Sequence, residues 1–187
     1  MSNSFEILMN QLGIPAEMRQ DPALSQADIK RVVVHKISKV WEFHFVFSNI
    51  LPIEIFLEIK KGLREEFSKT GNKAVFEIKV LSQEFSNQLL QAYYREAFSE
   101  GPCASQGFKS LYQNLQVRAE GNQLFIEGSE AIDKEHFKKN HLPNLAKQLE
   151  KFGFPTFNCQ VEKNDVLTQE QEEAFHAENE QIVQAAN

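Results

Sequence analysis

Between Val40 and Phe47 the chain places a ring at every second position: Trp41, Phe43, Phe45 and Phe47. Successive strand side chains point to opposite faces, so this spacing sets all four rings on one side of a β-strand. Val40, Glu42, His44 and Val46 fall on the other side. On a helix the same residues would scatter around the axis. A ring stripe can serve as a binding platform, but a buried face is the more usual use of so much aromatic surface. A sheet built on this strand is expected to be covered by helices on one side only. Sixteen Phe, three Tyr and one Trp supply enough ring surface for a core without disulfides or a structural metal. Cys103 and Cys159 sit in unrelated contexts and read as reduced thiols of a cytoplasmic protein.

Around this strand the first half reads as helix, strand, strand, helix, strand. Ser4 is placed to cap a first helix through Phe5, Leu8 and Leu12 that stops at Gly13. Pro15 opens a short turn or second helix ending before Pro22. The β-branched run Ile29, Val32, Val33, Val34 after Asp28 predicts a strand. After Pro52, at a favoured early helix position, Ile53, Phe56, Ile59, Leu63 and Phe67 recur at helical spacing, and Gly71 ends the element. Residues 73–80 alternate again, Val75 and Glu77 opposite Phe76 and Ile78.

The second half repeats that order. A helix is expected from Gln83 to Ser99, with Phe85, Leu89, Leu90, Tyr93 and Phe98 apolar. A short helix around Phe108 and Leu111 follows the Gly101-Pro102 loop. Leu115 to Ala119 and Leu124 to Glu127 flank a Glu120-Gly121-Asn122 turn, a hairpin signal. A helical stretch then runs from Ile132 to Phe152, broken or restarted at Pro143. Gly153 stops it, and Thr156 to Val161 is the closing strand. The fold class is therefore α+β: two small αββαβ units, residues 1–82 and 83–163, alike in element order rather than in residue identity. Residues 164–187 hold six Asp/Glu and no Lys/Arg. They read as an acidic helical linker capped at Thr168, and the chain is expected to be a fragment of a longer protein.

That tail carries the whole net charge of −6, for residues 1–82 hold eleven Lys/Arg against ten Asp/Glu, and residues 83–163 nine against ten. A nearly neutral remainder argues against a broad phosphate-binding surface. Two modest basic clusters stand out, Lys30/Arg31/Lys36/Lys39 around the first hairpin and Lys138/Lys139 further on. A solvated face is the commoner role of such clusters, contact with phosphates or an acidic partner the alternative. Neither is interleaved with aromatic residues as in single-strand binders. His35 and His44 approach one another across the hairpin, with no Cys or carboxylate at metal-ligand spacing. His136 and His141 fall on different helical faces, and Cys103 has no nearby His to lower its pKa. The H-E-x-x-H, G-x-S-x-G and phosphate-loop motifs are absent. No apolar run approaches the roughly 20 residues of a membrane span, and Met1 to Asn10 lack the regions of a signal peptide. The residues thus point to no catalytic, metal or cofactor site and to a docking role. Lys30, Arg31, Lys36 and Lys39, with Glu42 and His44 on the mixed strand face, are the candidate partner-binding residues.

The stretch His35-Lys-Ile-Ser-Lys-Val-Trp-Glu-Phe-His-Phe-Val-Phe47, followed by Leu51-Pro52, resembles the start of PolC-type DNA polymerase III alpha subunits, and Phe152-Gly-Phe-Pro155 is similar to a second landmark of that region. The resemblance runs through the whole chain. It implies the non-catalytic front of a replicative DNA-directed DNA polymerase with 3′–5′ exonuclease activity, whose OB, PHP, exonuclease and polymerase domains lie beyond this chain. It implies that metal ions are bound by those domains and no cofactor by this one. The first unit would resemble the polymerase-binding domain of the clamp-loader tau subunit and the second a type II KH fold. Partners would be tau and other replisome proteins, with DNA held mainly by the absent domains. KH folds grip nucleic acid through a G-x-x-G loop, whereas this chain has Lys139-Asn-His-Leu-Pro143 there; without glycine the backbone cannot approach a sugar-phosphate closely. An accessory module contacting template or primer is the alternative.

Overall fold

A computed structural model describes residues 1–99, 103–104, 109, 112–128 and 141–163. Helix α1 (Asn3–Gln11) is capped by Ser2, whose Oγ accepts from the Phe5 N–H at 3.4 Å. Ser4, the expected cap, lies inside the helix, because the Ser2 N–H is already held by the Ala27 carbonyl at 2.7 Å. A short helix α2 (Ala16–Arg19) and a 3-10 turn at Pro22–Leu24 lead into β1 (Asp28–His35). Strand β2 (Val40–Phe47), helix α3 (Ile53–Ser68) and strand β3 (Lys73–Val80) come next. β2 is central, antiparallel to β1 and parallel to β3. Phe43, Phe45 and Phe47 are buried, and Trp41 is half-buried against Phe67. α1 and α3 form the cover: Phe5 stands edge-on to Phe45 and Phe47. Gly62 lets α3 reach the end of α1, where a Cβ would lie 3.0 Å from Leu12 Cβ. Each such buried ring contributes about 1.5–3 kcal/mol relative to exposure.

The second sheet is built from β4 (Gln116–Glu120), β5 (Gln123–Gly128) and β6 (Asn158–Lys163), in that order. Its first pair is antiparallel and its second parallel, so both sheets repeat one plan: a hairpin, then a return strand alongside its second arm. The helices of this half are α4 (Asn87–Glu96) and α5 (Leu142–Lys151). α4 starts at Asn87 rather than Gln83, because Ser86 caps it by accepting from the Leu89 N–H at 3.1 Å. Phe85, expected within the helix, instead packs its ring against Phe154 and Phe157. Pro143 restarts the helix as expected: it sits in the first turn of α5, where a missing N–H costs no hydrogen bond. Residues 132–140, the expected short helix at Phe108 and Leu111, the residues His136, Lys138 and Lys139, and the tail 164–187 lie outside the described residues.

The two sheets share one core. Phe56 of α3 contacts Phe76, Tyr93 and Phe152, with ring centres 4.9–5.3 Å apart. The buried Tyr93 hydroxyl donates to the Leu51 carbonyl at 3.1 Å, and Lys60 of α3 meets Glu96 of α4 at 2.5 Å. After α5, Gly153 turns with φ +100°, and a Cβ there would sit 3.0 Å from Val80 Cγ1 and 3.2 Å from Ile78 Cγ2. Only glycine satisfies both the left-handed backbone and this close approach to β3. Among the described residues no helix is long and apolar enough to cross a membrane.

Candidate functional site

The face of the first sheet opposite its helices carries a network of charges. Arg31 and His35 reach it from β1, Glu42 and His44 from β2, and Glu77 from β3, while Lys151 leans in from the end of α5. Strand register makes the cluster: Arg31 pairs with His44 across the antiparallel ladder, and His44 with Glu77 across the parallel one. Glu42 is the hub. One oxygen meets His35 Nε2 at 3.2 Å and the other His44 Nε2 at 2.9 Å. The hydrogen bond with His35 is the main reason its carboxyl sits below the ordinary 4.5, the charges of His44 and Arg31 adding to it against a burial penalty. His44 Nδ1 lies 3.7 Å from Glu77, whose other oxygen is 3.6 Å from Lys151. His44 Nε2 is also 3.0 Å from Arg31 Nη2. Carrying its proton, that nitrogen donates to Glu42; bare, it accepts from Arg31. One ring atom thus chooses between two partners.

The sequence spacing offered the two histidines no carboxylate ligand, and the fold corrects this: Glu42 lies between them and Glu77 arrives from a strand far along the chain. Donor atoms of Glu42, His44 and Glu77 lie within 4.8 Å of one another, close enough to hold a metal ion. Arg31 and Lys151, however, already bring fixed positive charge to both ends of the trio, so it is neutralised from within.

Beside this network a groove of about 770 Å³ runs between the sheet and α5. Lys30, Arg31, His44, Lys79, Lys147 and Lys151 line it, with Glu77 and Glu150 among them. The first sheet and α5 both supply cations, and no exposed ring lies between them for a base to stack on. Of the six residues expected to meet a partner, Lys30, Arg31 and His44 line this groove, and Glu42 lies behind it in the network. Lys36 and Lys39 stand apart at the exposed hairpin tip, where Lys39 adopts φ +54°. Lys79, Lys147 and Lys151 were missed. Nothing in their local sequence singles them out, and only the docking of α5 beside β3 collects them. The thiols carry no such chemistry: burial pushes Cys159 up to about 11 and Cys103 above its ordinary value.

Comparison with known proteins places this geometry. Residues 4–78 match the family model described as DNA polymerase III polC-type N-terminus I, and residues 92–187 match DNA polymerase III polC-type N-terminus II. The chain belongs to the PolC-type DNA polymerase III family. It is 95% identical over 179 residues to the DNA polymerase III PolC-type of Streptococcus pneumoniae serotype 2, covering 96% of this chain and 12% of that protein. The Streptococcus sanguinis PolC-type protein is 63% identical and the Streptococcus mutans one 41%, each over 187 residues, 100% of this chain and 13% of theirs. The chain therefore spans about an eighth of the length of these relatives, and it corresponds to the N-terminal region of PolC. No solved structure matches it. The resemblance carried by His35–Phe47, Leu51-Pro52 and Phe152–Pro155 is confirmed.

Proposed function

We propose that this chain is a non-catalytic docking module at the front of a cytoplasmic replicative polymerase, seating replisome proteins, the clamp-loader tau subunit among them. The observation that carries the reading is the interleaving of Glu42, Glu77 and Glu150 with the cations of the open sheet face and its groove. A protein surface of mixed sign complements such an array, whereas a phosphate strand meets repulsion from each of these carboxylates. Polymerase and exonuclease chemistry, with its metal ions, belongs to the domains beyond this chain, and this chain needs no cofactor. Residues 1–82 and 83–163 are two repeats packed on a shared core, the second KH-like in element order but without the glycine loop, and residues 164–187 serve as the joint to the catalytic domains.

A second reading, an accessory nucleic-acid contact, is favoured by the cations the groove does collect: Lys30, Arg31, Lys79, Lys147 and Lys151. Titration of the 187-residue chain with tau and with primer-template DNA at moderate salt separates the two. Tau binding that weakens when Lys30, Arg31, Lys36 and Lys39 are changed to Glu is the expected result. Salt-sensitive micromolar DNA binding without tau binding overturns the docking reading.

A further inference from the structure

The two sheets treat their leading strands differently. In the second sheet the outer edge of β4 is closed by helix α4: the Gln91 side chain accepts from the Val117 N–H at 2.8 Å, and Asn87 accepts from the Ala119 N–H at 2.9 Å. Gln91 also donates to the Leu115 carbonyl at 2.9 Å. In the first sheet β1 occupies the same place, pairing with β2 alone. Among the described residues nothing closes its other edge. A bulge between Ile29 and Arg31 and the charged Lys30 blunt only its beginning, the usual protection of an exposed edge. From Arg31 the run is straight; the His35 carbonyl accepts from Ser38 Oγ at 3.5 Å, and the alternate backbone groups that do not face β2 line the outer edge.

The side chains of that run state what fits beside it. Val32 and Val34, 39% and 42% exposed, continue the apolar row of Trp41 and Phe43 beyond the reach of the covering helices. Arg31 and His35 point to the opposite, charged face, and Lys36 and Lys39 stand next along the chain at the hairpin tip. We infer that the outer edge of β1 is a strand-addition site for an extended partner segment that alternates apolar with acidic residues. Its apolar side chains would lie against Val32 and Val34, and its carboxylates would meet Arg31, His35 and Lys36. A second copy of this chain fits poorly. Antiparallel pairing about Val33 would set Lys30 opposite Lys36 on each side, like charges across the ladder, with Arg31 opposite His35. The inference rests on the docking reading above and specifies its seat.

The test uses the 187-residue chain, labelled with nitrogen-15, and a ten-residue peptide alternating glutamate with valine. A second peptide has the same sequence with alternate backbone nitrogens methylated. The expected result is shifted and exchange-protected amides within Arg31–His35, and at least about tenfold weaker binding of the methylated peptide, the loss that comes from removing about 1.4 kcal/mol of hydrogen bonding. Arg31→Glu with Lys36→Glu weakens the unmethylated peptide by a similar factor. Val32→Asp with Val34→Asp, on exposed positions, does so too, with an unchanged melting curve as the check on folding. Equal binding of both peptides, no binding, or shifts confined to Lys79, Lys147 and Lys151 overturns the inference. Tau separates the two readings. If the Val32/Val34 variant loses the peptide yet keeps tau, docking stands and β1 is not its seat. If tau never binds while the peptide adds at β1, docking of tau fails and the strand-addition site stands.

Discussion

β1 and β4 hold equivalent places in two sheets of one plan, yet α4 lays amide side chains along the β4 backbone, while among the described residues α1 meets only the start of β1, at Asp28. An open strand edge invites association, so a fold that covers one and exposes the other separates a structural repeat from a contact surface. The second sheet spends Asn87 and Gln91 on its own backbone. The first keeps its edge and gathers charge around it. One difference between the repeats is therefore the polar groups that α4 lays on its strand edge, while strand order and direction are the same in both.

The strongest way to break the comparison is to ask whether the sheets are separable at all. Phe56→Ala removes a ring that touches both halves, and should cost about 3–5 kcal/mol. Urea unfolding followed by Trp41 fluorescence and by circular dichroism should show one shared transition; two separate ones would mean that the core is divided. Gly153→Ala forces a Cβ into Val80 and Ile78 at a left-handed backbone position, and should cost about 2–4 kcal/mol in the same experiment. Gln91→Ala uncovers β4 and leaves the Val117 N–H without its acceptor, costing about 1–3 kcal/mol. Sedimentation should then show a new tendency to self-associate, which the parent chain lacks if the amide cover matters. Lys39→Gly relieves φ +54° and should stabilise by about 1 kcal/mol, seen as a raised Tm, while removing one cation from the hairpin tip.

The smallest effect is on the open face. Glu42 has a folded-state pKa below its ordinary 4.5, so its contribution is fully present above that value and is lost as pH falls through the lowered one. Acid titration of stability should therefore be shallower below pH 4.5 in Glu42→Gln than in the parent chain. Equal slopes would show that the network does not stabilise the folded state.

Much of this fold was legible because the sequence repeats where geometry repeats. β2 spans Val40–Phe47 as its ring spacing predicts, and the stripe after Pro52 forms α3. The unread parts depended on partners distant along the chain. Ser2 and Ser4 are equally good caps until the Ala27 carbonyl fixes Ser2. Asn87 and Gln91 look like solvated helix residues until β4 lies beside them. Half of the site was visible as a basic hairpin with Glu42 and His44. Glu77, Lys79, Lys147 and Lys151 were not, because strand pairing and the docking of α5 bring them in. Alternation tells which face of a strand is apolar, but not which distant element will stand over the other.

Gly153 has a mechanical consequence. With the end of α5 pressed against β3 through a position that tolerates no side chain, the two repeats have no hinge at this seam. A segment seated along β1 is then held at a fixed angle to the point where the chain leaves β6 at Lys163. Pulling on that segment would turn both sheets as one lever.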